Sequence, residues 1–156
     1  MGARRQHRDK PVIVVDTREQ EAYSFDGERV AMVRRALPAG DYSLEGFEDR
    51  VAVERKSLDD FVTTVIRSRD RFRRELKRLQ GYEAACVVVE ADLADVLAGR
   101  YRAGVHPSAV LGAAVSIVID HGVPVFFCSN RQAACLFTES YLMRFYRRVW
   151  TVCEVP

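Results

Sequence analysis

Apolar positions along the chain alternate between a period of two and a helical period, and the switches mark out its elements. "PVIVVD" is a β-branched run ending in an acid, which predicts a buried strand over Pro11–Asp16. "ERVAMVRRAL" carries helical spacing through Val30, Val33 and Leu37, and Pro38 then blocks it, so a helix is expected there. "GDYSL" and "RVAVERK" are strand-like, and "EGFED" between them suits a hairpin. In the second of these strands Val51, Val53 and Arg55 share one face, while Ala52, Glu54 and Lys56 share the other. Leu58, Phe61, Val62, Val65 and Ile66 then form a helical stripe. A further helix begins near Asp70, buries Phe72, Leu76 and Leu79, and stops at Gly81. "AACVVVEA" predicts another buried strand, "ADLADVLAG" a short helix and "VPVFFCS" a last strand. "HPSAVLGAAVSIVIDHG" predicts a longer helix, with Pro107 near its first turn and Gly122 past its end. "NRQAACLFTESYLMRFYRRVW" predicts a final helix. Strands that alternate with helices after an early hairpin imply an α/β domain, a central mixed sheet flanked by helices.

Composition narrows the class. The chain has 156 residues, enough for one domain with a single core, and its 48% hydrophobic and 29% charged residues argue against global disorder. A formal net charge of +2 gives a weak overall field, so local clustering must carry any case for nucleic acid. No apolar stretch approaches a membrane span, and an intracellular protein without a membrane partner is expected. Residues 1–10 read as a flexible basic tail and 11–156 as the folded domain. Cys86, Cys128, Cys135 and Cys153 form no C-x-x-C pair. Cys86 and Cys128 lie in apolar runs and read as buried thiols of a reducing compartment. His106 and His121 border a helix without ligand spacing and read as structural.

The stretch "RVAVERKSLDDF" places five charges, Glu54, Arg55, Lys56, Asp59 and Asp60, where a strand gives way to a helix. Phosphodiester hydrolysis needs an attacking water and a sink for transition-state charge, and divalent ions with carboxylate ligands supply both. A nearby lysine can position that water and offset charge. Asp41 opens one hairpin strand, Glu54 and Lys56 point to one face of the next, and Asp16 ends the first strand with Arg18 and Glu19 just after it. Glu-x-Lys alone is more often a solvated strand face. Asp41 after Gly40 is also simple turn chemistry, and Ser57 with Asp60 also reads as a variant capping box. Arg55 shares its face with Val51 and Val53, and a buried arginine there would require a carboxylate partner.

The longer pattern is more specific. Gly40-Asp41, twelve residues, Glu54-Arg55-Lys56, three residues and Asp60 resemble the signature of XPF-type structure-specific endonucleases of the PD-(D/E)XK superfamily. "VVDTRE", "SRDRFRRELKRL", "CVVVE" and "HGVPVFF" resemble further segments of that family, so the likeness runs from about Pro11 to Trp150. The resemblance implies a PD-(D/E)XK nuclease-like fold and an Mg²⁺- or Mn²⁺-dependent DNA endonuclease acting on branched DNA such as flaps or forks. It implies that Asp41 and Glu54 bind metal, with Asp16 sharing or supporting that role and the Arg55 carbonyl as a further ligand. It assigns Lys56 to the nucleophilic water and Glu19, Arg55 and Asp60 to accessory roles. A non-catalytic DNA-binding or dimerisation subunit, and a nuclease for plain duplex DNA or RNA, stay open as alternatives.

Two surfaces invite partners. Arg67, Arg69, Arg71, Arg73, Arg74, Lys77 and Arg78 outnumber Asp70 and Glu75 on one stretch. The bland reading is a solvated face laced with Asp70–Arg74 and Glu75–Arg78 pairs. The positive excess beside the site instead suits phosphate contact, expected of Arg69, Arg71, Arg74 and Lys77. The final helix bears Phe137, Tyr141, Leu142, Met143, Phe145, Tyr146 and Trp150 over more than one stripe. XPF-like nuclease domains pair through C-terminal helices, so a homodimer using Tyr141, Phe145 and Trp150, together with Pro107–Asp120, is expected.

Overall fold

The computed structural model describes residues 10–153, so the basic tail lies outside the described residues apart from Lys10. Six strands form one sheet in the order β2-β1-β3-β4-β5-β6. They are β1 (Val12–Val15), β2 (Ala31–Arg34), β3 (Tyr42–Leu44), β4 (Val51–Lys56), β5 (Ala84–Val89) and β6 (Val125–Phe127). The helices are α1 (Leu58–Arg67), α2 (Arg69–Gln80), α3 (Leu93–Leu97), α4 (Pro107–His121) and α5 (Arg131–Cys153). Strand β3 runs antiparallel to both β1 and β4, and every other pairing is parallel. The carboxyl ends of the five parallel strands therefore meet along one edge, where Asp16, Lys56 and Glu90 stand.

From β4 to β6 the chain steps across the sheet in one direction through two parallel crossovers. Crossovers of one hand in one direction place their helices on one face. Phe61, Val62, Phe72, Leu76, Val110, Ala114 and Ile117 accordingly form one core cluster with Ala52, Val87 and Val89. Helix α5 covers the other face, where Leu142, Met143 and Phe145 pack with Val51, Val53, Cys86 and Val88. Strands β4 and β5 are thus buried on both faces, and their alternate residues serve different layers. The helix signals act as read: Ser57 Oγ accepts from Asp60 N at 3.2 Å, Pro107 opens α4 and Gly122 ends it with φ 64°. His106 caps α4, its Nδ1 accepting from Ser108 N.

One expected element is overturned. Residues 31–34 form a strand, not a helix. Strand β1 would otherwise show an open edge beyond β3, and pairing in register from Val12–Ala31 to Val15–Arg34 satisfies it. Flanking bonds from Ala31 N to Pro11 O and Arg35 N to Val15 O extend the ladder. Val30 and Leu37, whose spacing suggested the helix, are buried from the ends of this extended stretch. Local helical spacing yields here to tertiary pairing. The cysteine reading holds for Cys86, which is buried, whereas Cys128 is only half-buried; both are free thiols, as is Cys135.

Gly40 lets β3 approach β4. Its φ is 77°, and a methyl group there would stand 3.0 Å from Ala52 Cβ and 3.2 Å from the Val53 carbonyl oxygen. Gly40→Ala is expected to cost about 1–3 kcal/mol from the left-handed backbone alone, with steric strain added. Gly46 has φ 83° and open space around it, so Gly46→Ala should carry the backbone term only. Urea midpoints of the two variants test this: equal losses would remove the role of the close approach.

Candidate active site

The cleft lies at the carboxyl edge of the sheet, beneath α1 and α2. It measures about 380 Å³ and is lined by Asp16, Glu19, Asp41, Glu54, Arg55, Lys56, Asp60, Arg71 and Glu75, among others. The sheet brings the acids together from distant sequence. Asp16 N donates to Asp41 O at 2.9 Å, tying the end of β1 to the start of β3. Asp41 N donates to Val53 O at 2.9 Å, and Asp41 Oδ2 accepts from Arg55 N at 2.8 Å. Strand pairing thereby holds the aspartate beside the Glu54-Arg55-Lys56 segment.

Asp41 and Glu54 each keep an oxygen without a hydrogen-bond partner among the described residues. Glu54 Oε1 faces Lys56 Nζ at 3.1 Å, while Oε2 is buried without a partner. Asp41 engages Oδ2 only. Burial pushes the Asp41 carboxyl up to about 7, against the opposing Arg55 N–H and with help from Glu19. Burial also raises Glu54 well above the carboxylate range, with Asp41 and Glu75 adding to it and Lys56 opposing. Burial tends to lower Lys56, but Glu54, Asp41 and Glu75 outweigh it, so its ammonium is held charged. Lys56 Nζ also lies 5.7 Å from the Phe72 ring centroid.

The remaining expected residues divide by position. Asp16 is buried at the cleft wall with both oxygens engaged, Oδ2 by Arg18 Nε at 2.7 Å and Oδ1 by Leu37 N at 3.0 Å. Asp60 is exposed at the rim. Arg55 extends toward the α5 side, where the anticipated carboxylate partners exist. Its guanidinium meets Glu90 at 2.6 Å, Glu19 at 3.5 Å and Glu21 at 3.8 Å, and lies over the Tyr23 ring. Arg69 and Arg74 line an adjoining depression with Arg71, and Lys77 is exposed farther along α2.

Sequence reading missed Glu75 and Glu90. Glu75 looked like half of a surface pair with Arg78, yet it faces the cleft one helical turn from Arg71. Glu90 ends the apolar run of β5, and an acid in that position was the available signal. The aromatic arc of α5 needs correction as well. Phe145 is 4% exposed and packs edge-on against Phe47, while Tyr141 and Trp150 are half-buried. Its own core, not a partner, takes Phe145.

Residues 15–141 match the ERCC4 domain family. XPF from Aeropyrum pernix shares the fold, with a TM-score of 0.71 and 26% identity over 92% of this chain and 69% of that one. XPF from the same organism in complex with DNA superimposes with a TM-score of 0.65 and 24% identity, over 89% of this chain and 66% of that chain. A Methanocaldococcus jannaschii protein named as a putative ATP-dependent RNA helicase is 34% identical over 124 residues, covering 79% of this chain but only 14% of that protein. With the family pattern matched from β1 into α5, the chain belongs to the ERCC4 domain family and has the fold of an XPF-type nuclease domain.

Proposed function

We propose that the chain is a metal-dependent endonuclease that hydrolyses DNA phosphodiesters at this cleft, with branched DNA such as flaps or forks as its substrate. The observation that carries this reading is the pair Asp41 and Glu54: a half-buried and a buried carboxylate, each with an oxygen left free, beside a charged lysine. Such hard oxygen donors fit Mg²⁺ or Mn²⁺, and the raised proton affinity of both acids expresses the same demand for a cation. Among the described residues no three ligand groups are already gathered at metal distance. Asp41 and Glu54 would hold the ion, with Glu75 nearby and the Arg55 carbonyl as a further ligand. A bound ion would polarise the phosphodiester and make water a stronger nucleophile. Lys56, held charged, would position the attacking water and stabilise charge on the phosphoryl oxygens. Asp16 would act by holding Arg18 at the cleft and Leu37 N–H in place, and Glu19 by steadying Arg55. No described helix is long and apolar enough to cross a membrane.

Asp41→Asn and Glu54→Gln should each reduce cleavage of labelled flap, fork, duplex and single-stranded DNA to background in Mg²⁺ or Mn²⁺. Asp41→Asn should also change the pH response of stability. With a native pKa near 7 against an ordinary 3.8, the folded state binds the extra proton, so ionisation costs stability as pH rises from about 4 to about 7. Thermal midpoints in chelator should therefore fall less steeply across that window in Asp41→Asn than in the unaltered chain. Parallel curves would show that Asp41 is not held against its charge. Near-normal turnover in either variant would remove the pair from the chemistry.

The basic stretch supplies the proposed grip. Among the described residues, Arg67, Arg69, Arg71, Arg73 and Arg74 form no ion pair, although Arg18, Arg35, Arg50, Arg55, Arg100 and Arg131 do. The surface pairs of the bland reading are not formed among the described residues; all five arginines line the depression beside the cleft, and Arg71 lines the cleft as well. Replacing Arg69 and Arg71 by Ala should weaken duplex binding regardless of sequence. Each lost phosphate contact should reduce the slope of log affinity against log salt by about 0.9. An unchanged slope would return both residues to solvent.

A homodimer belongs to the same proposal, with its surface relocated. The exposed apolar residues include Val115, Val118 and Ile119 on α4 and Leu136 on α5, Ile119 being 75% exposed. A two-fold pairing through these residues would cover them. Light scattering at micromolar concentration should give twice the 17.7 kDa chain mass, reverting to one chain mass in Ile119→Glu. A single chain mass for the unaltered protein would refute the dimer.

A further inference from the structure

We propose that the groove between α2 and α4 seats single-stranded DNA leaving the cleavage site. This rests on the nuclease reading and adds a strand path to it. The groove measures about 260 Å³, and Ile66, Leu76, Ala113 and Ile117 form its apolar floor. Arg69 and Arg73 stand at its rim, and neither forms an ion pair among the described residues. It is continuous with the cleft around the α1–α2 corner. Ser68 and Arg71 line both the cleft and the depression beside it. Ile66, Arg69 and Arg73 line both that depression and the groove.

Charge and shape together select the occupant. Unpaired guanidinium groups beside the site match backbone phosphates, as in other single-strand grooves. The apolar floor matches the faces of unstacked bases. A duplex keeps those faces inside its own stack and is too wide for a groove of this volume, so it would reach the rim and leave the floor uncovered. Small residues keep the floor open: a side chain at Gly112 would meet nothing within 4 Å. Ser116 is exposed on the α4 wall, and its hydroxyl donates to Asp120 Oδ2 one turn on. No fold-bearing contact depends on it.

The test measures anisotropy of a labelled oligothymidylate and of a blunt duplex on the Asp41→Asn chain in chelator, while cleavage by the unaltered chain is scored separately. Ser116→Glu should weaken single-strand binding about tenfold, the equivalent of one base contact, with duplex affinity unchanged. Arg73→Ala should lower the single-strand salt slope by about 0.7. Ser116→Arg should shift affinity the opposite way, which keeps the inference testable if the glutamate variant folds poorly. Unchanged single-strand affinity in all three, or equal losses on both ligands in Ser116→Glu, would overturn the assignment. So would tighter binding of the matched ribo-oligonucleotide, or a change of chain mass in Ser116→Glu without a change in binding, which would give the groove to a second copy. Absence of cleavage by the unaltered chain with these shifts intact would instead separate the strand path from the nuclease reading.

Discussion

A half-buried and a buried carboxylate, Asp41 and Glu54, set the terms for the architecture around them. An ionised acid in such a place is unfavourable unless a cation or donors face it. The chain answers with Arg55 N–H on one side and the Lys56 ammonium on the other, and leaves one oxygen of each acid open. Holding that arrangement requires the short β3 to stay in register with β4, which the left-handed Gly40 permits. The cleft is therefore a consequence of strand pairing rather than of a flexible loop, which suits chemistry that demands fixed geometry.

The sheet also separates the charges by function. Glu54 and Lys56 point to the face covered by α1 and α2, whereas the Arg55 guanidinium turns toward Tyr23 and the start of α5. There Glu90 joins Arg55 at 2.6 Å and Arg131 at 3.6 Å. On the α5 side the acids are thus met by two guanidinium groups, whereas on the α1–α2 side Asp41 and Glu54 have the Lys56 ammonium as their cation. The chain's excess positive charge near the site is then found on the exposed turns of α1 and α2, where solvent keeps it available.

Much of this was legible from local pattern because it depends on local causes. Short apolar runs give β4 and β5, Ser57 gives the start of α1, and Pro107 with Gly122 bound α4. Glu54 and Lys56 share a face by the pleat alone. Residues 31–34 form a strand although Val30, Val33 and Leu37 fit the helical period, because only the unpaired edge of β1 overrides that local signal. Glu75 was misread because its helix presents charge on several sides, and nothing within α2 says which side meets a sheet.

By itself the sequence determined the elements, the Gly40-Asp41 and Glu54-Arg55-Lys56 pattern and its family, since these follow from backbone preference, pleat and spacing. Tertiary structure alone decided that Glu75 joins Asp16, Asp41 and Glu54 in the cleft. It also decided that Glu90 grips Arg55, and that Phe145 belongs to its own core rather than to a partner. Those outcomes depend on which strand edges pair and which helix faces the sheet covers. Both are settled by burial and hydrogen bonding across long sequence separations, where local periodicity carries no information.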